Sequence, residues 1–130
     1  MKNVSLLTKV LFHITNILLI ILYLYPGSIL GWLIYGNIQK QPQITSDFIF
    51  SSNHVYAFLI LSLLGLFSYY KKNIKILFLY LFFISIFLES LHYMIPQRSF
   101  EYKDLFGNFF GVLIVFLLFN IYKFFKKIYD

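Results

Sequence analysis

Between Glu89 and Gly111 the chain reads E-S-L-H-Y-M-I-P-Q-R-S-F-E-Y-K-D-L-F-G-N-F-F-G, and this stretch carries most of the groups able to do chemistry. Glu89, Glu101 and Asp104 are three of the five acidic residues, and Arg98 is the only arginine. Glu89 and His92 stand three apart, which puts them on one face of a helix. Asp104, Asn108 and Gly111 follow at i, i+4 and i+7, again one face. A carboxylate beside an imidazole can move a proton, and a guanidinium beside the pair can hold a phosphate. Asn53, His54 and Tyr56 sit at the start of an upstream apolar run and complete the polar set.

Several chemistries compete for these residues. Glu89 or His92 suits acid–base work on a lipid-linked phosphate held by Arg98. Ser99 beside His92 is a weaker nucleophile candidate, because a serine next to a helix end is ordinarily a cap. His54, His92, Glu89 and Asp104 are zinc-compatible types. No pair among them has the H-E-x-x-H spacing, so no metal is expected, and no cofactor either. Glu89, Arg98 and Asp104 also fit a purely structural clasp, in which they pair and hold two helices together. Gly107 and Gly111 form a small-xxx-small pair that lets another helix approach closely.

Composition says what must position them. The chain has 130 residues, is 60% hydrophobic, 22% aromatic and 12% charged, with mean hydropathy +0.78. A soluble domain is about 45–50% apolar and about 25% charged. A chain this short cannot bury the excess, so lipid is the expected solvent. There is no cysteine, which excludes disulfides, cysteine zinc sites and a thiol nucleophile.

Four apolar runs follow in order. Val10–Tyr25 opens after Lys2 and Lys9, is broken by His13, Thr15 and Asn16, and meets Pro26 and Gly27, where Pro26 either kinks it or ends it. It resembles a secretory signal without a small-x-small cleavage site, and reads as an uncleaved first span. Trp32 and Tyr35 beyond it fit an interfacial aromatic belt. Gly36–Ser52 is polar and reads as a loop. Further spans are expected at 53–70, 74–95 and 104–122, with the first at 6–25. Lys71-Lys72-Asn73 makes a tight turn, Pro96 stops the third span, and Asp104 caps the fourth. Each run is near the roughly 20 residues that cross the hydrocarbon core. The expected fold is all-α: a four-helix transmembrane bundle forming one domain over 1–130.

Charge orients it. Lys2, Lys9, Lys71, Lys72, Lys75, Lys123, Lys126 and Lys127 fall on one side, against Lys40, Arg98 and Lys103 on the other. The positive-inside rule then places both termini in the cytoplasm and the polar cluster at the outer face of a cell membrane. The net charge of +6 reads as helix-end anchoring rather than nucleic-acid binding, because the lysines recur at every cytoplasmic end. His13, Asn16 and Lys9 line one face of the first span and read as interhelical hydrogen bonds. No phosphate-binding glycine loop and no inverted repeat is present.

Glu89-x-x-His92, Pro96-x-Arg98-Ser99-Phe100 and Asp104-x-x-x-Asn108-x-x-Gly111 together resemble the signature of the VanZ-like family of small bacterial membrane proteins. Asp47 with Asn53-His54-x-Tyr56-Ala57-Phe58, and Tyr25-Pro26-Gly27, extend the resemblance over roughly residues 20–120. His92 stands where the family usually has glutamine, so a titratable ring replaces an amide. Ser51 and Ser52 stand where the family often has a lysine. The resemblance implies a protein of the bacterial cell envelope. Its expected partners are the bilayer, an anionic or isoprenoid lipid headgroup, a glycan precursor, or an envelope protein. The alternative is a small membrane enzyme acting on a lipid-linked phosphate.

Overall fold

A computed structural model describes residues 2–70 and 72–129, without the side chains of residues 2–5. Lys71 of the charged turn and the side chain of Lys2 lie outside the described residues. The described residues form five helices: α1 (Lys2–Leu24), α2 (Ile29–Tyr35), α3 (Ser52–Tyr69), α4 (Ile74–Leu91) and α5 (Tyr102–Tyr129). No strand occurs among them. α1, α3, α4 and α5 are each long and apolar enough to cross a membrane.

The distribution of residue types is inverted relative to a soluble bundle. Ser52, Ser62, Ser85, Glu89 and Asn108 are fully buried, while Ile17, Leu18, Phe67, Leu79, Phe83 and Leu118 are exposed. Two buried serine hydroxyls are satisfied within their own helix: Ser68 donates to Leu64 O at 2.7 Å and Ser85 to Phe82 O at 2.8 Å. This is the arrangement expected when the outside is as apolar as the inside, so that packing and polar contacts join the helices.

α3 is the central helix and packs on α1, α4 and α5. Its closest partner is α5, and the two run parallel. A Cβ on Gly107 would lie 2.8 Å from Ser51 O, and one on Gly111 would lie 2.6 Å from Val55 O. Farther along, the rings of Tyr70 and Phe119 meet at 6.0 Å. The two glycines therefore admit α3, not the sequence neighbour α4. α4 reaches α5 through rings instead, as in Phe78 against Phe116 and Phe82 against Phe109, both at 5.1 Å.

Helix ends differ from the sequence expectation at several points. Pro26 ends α1, and Gly31–Tyr35 belongs to a separate short helix capped by Ser28, whose Oγ accepts from Gly31 N at 2.9 Å. α4 stops at Leu91, five positions ahead of Pro96, where His92 N bonds back to Glu89 O. α5 starts at Tyr102, so Asp104 sits in its first turn rather than at the cap. Acid there is favoured by the helix dipole. α5 also continues to Tyr129, and its 28 residues rise about 42 Å. That exceeds the roughly 30 Å hydrocarbon core, so Lys123, Lys126 and Lys127 ride on the excess length.

Candidate functional site at the end of the bundle

Because α1 and α4 finish where α3 and α5 begin, four helix ends meet at one end of the bundle. Their inward faces carry Tyr23 and His54, Glu89 and His92, and Asp104 and Asn108. Three of these side chains form a closed triangle. Tyr23 donates its hydroxyl to Asn108 Oδ1 at 2.5 Å, and His54 Nδ1 lies 2.9 Å from the same oxygen and 2.8 Å from Tyr23 Oη. Asn108 Nδ2 donates to Ser85 O at 3.2 Å, which ties the triangle to α4.

Carboxylates flank the triangle. His54 Nε2 is 3.3 Å from Asp104 Oδ2. Asn108 Oδ1 is an acceptor, so Nδ1 of His54 carries a proton toward it, and Nε2 then faces an acceptor oxygen. Two lone pairs at that distance repel, so a cation, at minimum a proton, belongs between Nε2 and Oδ2. Glu89 repeats the pattern. Its Oε1 accepts from Glu101 N at 3.1 Å and lies 3.2 Å from His92 Nδ1. Nε2 of His92 donates to Tyr23 O at 3.0 Å, and the His92 ring stacks on Tyr23 at 5.7 Å. Glu89 Oε2 is buried and has no protein partner. His54, Glu89 and Asp104 each place one donor atom within 4.8 Å of the others.

Arg98 does not pair with an acid. Gln97 adopts a left-handed φ of 62°, and the chain returns Arg98 to the end of α1. There Nη2 donates to Leu22 O at 2.7 Å and Nε donates to Tyr25 O at 3.2 Å. A cation on the last carbonyls of a helix satisfies orphan acceptors and opposes the dipole. Burial lowers the guanidinium pKa from its ordinary value. The clasp in which Arg98 pairs with Glu89 and Asp104 is thus corrected, because α1 takes the arginine; of the two partners expected for Glu89, Arg98 and His92, the structure pairs it with His92, and Asp104 faces His54.

The other sequence candidates fall beside this group. Asn53 Nδ2 donates to Pro42 O at 2.7 Å and its Oδ1 accepts from Ile44 N at 3.0 Å. Tyr56 Oη meets Thr45 Oγ1 at 3.1 Å. Asp47 Oδ1 accepts from Ser52 N at 3.0 Å, and this bond lowers its carboxyl pKa. These residues fold the 42–47 loop over the start of α3. Ser99 lies 3.5 Å from Glu101 Oε1 and is not in hydrogen-bond contact with His92. Gly107 and Gly111 sit behind the site and set the approach of α5 to α3.

Tyr23 is the residue that sequence reasoning missed. Its signal was slight: a tyrosine in a span, three positions before Pro26, whose hydroxyl must find a partner once buried.

A cleft of about 390 Å³ opens on the group. Its polar lining includes His54, His92, Arg98 and Asn53, and its apolar lining includes Leu22, Leu30, Ile34 and Ile60. Leu30, Ile34 and Ile60 are exposed at the rim. No protein-family model, no curated protein and no solved structure matches the chain.

Proposed function

We propose that this chain is a VanZ-like integral membrane protein of the bacterial cell envelope, with both termini cytoplasmic. Its cleft binds the head of an anionic lipid, of phospholipid or isoprenoid-phosphate type, at the outer face. The observation that carries this reading is the mixed lining of the cleft. His54, His92 and Arg98 line it together with Leu22, Leu30 and Ile34. An amphiphile with an anionic head matches both kinds of lining at once. Charge supports the orientation: Lys9, Lys72, Lys75, Lys123, Lys126 and Lys127 lie at the opposite end of the bundle, as the positive-inside rule requires of a cytoplasmic face. A second reading, a small enzyme acting on a lipid-linked phosphate, is favoured by the close His54–Asp104 and His92–Glu89 contacts next to the cleft.

Native mass spectrometry of the protein in mild detergent tests the binding reading. Wild type should carry an anionic lipid. Arg98→Ala and Ile60→Trp should both lose it, the second by filling the cleft without touching the arginine. Wild type free of lipid, or Ile60→Trp that retains it, contradicts the reading. Turnover of a lipid-linked phosphate that disappears in Glu89→Gln while lipid remains bound would select the enzyme.

A further inference from the structure

The geometry points to a divalent transition-metal site, of the zinc class, held by His54 Nε2, Asp104 Oδ2 and Glu89 Oε2. It goes beyond the lipid reading and does not depend on it.

The first observation is spacing. His54, Asp104 and Glu89 each offer one ligand atom within 4.8 Å of the other two. Zinc bonds of about 2.0–2.1 Å at tetrahedral angles set neighbouring ligand atoms about 3.3–3.4 Å apart. His54 Nε2 and Asp104 Oδ2 are already 3.3 Å apart. The donors come from α3, α4 and α5, so the fold, not a local motif, assembles them. The missing H-E-x-x-H spacing is therefore no objection.

The second observation is the orphaned oxygen. Glu89 is fully buried, its Oε1 is occupied by Glu101 N and His92, and Oε2 has no protein partner. A buried carboxylate oxygen left alone is costly, and a metal bond removes that cost. Among the described residues no lysine or arginine pairs with either acid. Two carboxylates thus share a small volume with two imidazole rings and with no lysine or arginine in contact.

The third observation is how each ligand is held. A metal-bound histidine characteristically gives its other N–H to a carbonyl or carboxylate, which fixes the tautomer. His54 does this through Nδ1 to Asn108 Oδ1. The same tautomer leaves Nε2 bare toward Asp104, which is the state a metal needs. His92 and the Glu101 amide hold Glu89 by its other oxygen. Imidazole with two carboxylates suits zinc, iron or manganese better than calcium or magnesium, which take all-oxygen shells. Three protein donors leave a coordination position for a further ligand, and His54 is common to the donor group and the cleft wall.

The test is uptake by the full-length chain in mild detergent after chelator treatment. Titrated with Zn2+, wild type should take up one ion per chain and melt at a higher temperature, and Co2+ should give the visible absorption of a low-coordinate site. Asp104→Asn and Glu89→Gln should each weaken uptake by at least 10-fold. His13→Ala, at the other end of the bundle, should leave it unchanged. Folded wild type that takes up neither ion overturns the proposal and leaves protons as the bridging cations. Uptake that survives Asp104→Asn, or that vanishes with His13→Ala, also overturns it, as surface binding.

Discussion

The two ends of the bundle hold nearly the same polar side chains and use them differently. At the lysine end, His13 Nε2 meets Tyr69 Oη at 2.9 Å and Asn16 Nδ2 donates to Tyr80 Oη at 2.6 Å. These are two separate bridges, beside a cleft of about 330 Å³ that contains no acid. At the other end, Tyr23, His54 and Asn108 form one closed triangle with Asp104, Glu89 and His92 bonded around it. Histidine, tyrosine and asparagine alone give interhelical glue. Adding buried carboxylates converts the same types into a connected network that needs a cation. Connection and charge, not residue type, separate a clasp from a candidate site.

The two ends differ most in how closely their backbones approach. Gly111→Leu drives a side chain into the α3 backbone at Val55 O and Leu59 N, and should cost about 4 kcal/mol or abolish folded yield. Gly65, near the lysine end, faces the ends of Leu77 and Phe12 instead. Gly65→Ala should therefore cost only about 1 kcal/mol, because those side chains can move. Mixed-micelle unfolding measures both. Equal losses would mean that the α3–α5 approach has no special tightness.

The asparagines sharpen the contrast next. Asn108→Leu removes the acceptor shared by His54 Nδ1 and Tyr23 Oη, leaves those two atoms only each other, cuts the tie to Ser85 O, and should cost about 3 kcal/mol. Asn16 makes one bond and leaves Oδ1 unpaired, so Asn16→Leu should change stability by less than about 0.5 kcal/mol. The same unfolding assay separates them, and a large loss for Asn16→Leu would erase the distinction between the two ends. Arg98→Ala follows, at about 2 kcal/mol, since it removes two charged hydrogen bonds from carbonyls. Faster amide exchange at the end of α1 should accompany it, with the far end of α5 unaffected.

The smallest effect is a pH one. The Ser52 amide holds Asp47 below the ordinary carboxylate range. A depressed folded-state pKa contributes stability that is present above the unfolded value and is lost as pH falls through the folded one. Asp47 is exposed, so screening keeps this contribution small. Acid titration of wild type against Asp47→Asn should show a slight destabilisation below the ordinary carboxylate pKa in wild type only. A matching titration in the variant would remove Asp47 as its source.

Much of this was legible in the sequence. Long apolar runs locate four spans, and the bridges of His13 and Asn16 follow from polar side chains placed inside one of them. Glu89, His92, Asp104 and Asn108 were readable as a group, because the short 92–101 connection returns α5 beside α4. Partner choice was not legible. In lipid both faces of a helix are apolar, so periodicity does not say that Gly107 and Gly111 meet α3 rather than α4. Nor does it say that Arg98 finds the carbonyls of Leu22 and Tyr25, since backbone acceptors at a helix end leave no trace in residue type. Tyr23 was hidden for the same reason. One tyrosine among eleven becomes a hub only once His54 and Asn108 are brought to its hydroxyl.

The two ends also make rival claims on an anionic lipid, because Lys123, Lys126 and Lys127 line a cleft of about 380 Å³ with Tyr70 and Phe119. A photoreactive anionic phospholipid, crosslinked in vesicles and mapped by peptide mass spectrometry, decides between them. Lipid bound in the cleft beside Arg98 should give saturable labelling on the rim at Leu30, Ile34 and Ile60, competed by unlabelled lipid. Labelling that concentrates between Tyr122 and Tyr129, or spreads over all exposed helix faces without saturation, would contradict binding in that cleft.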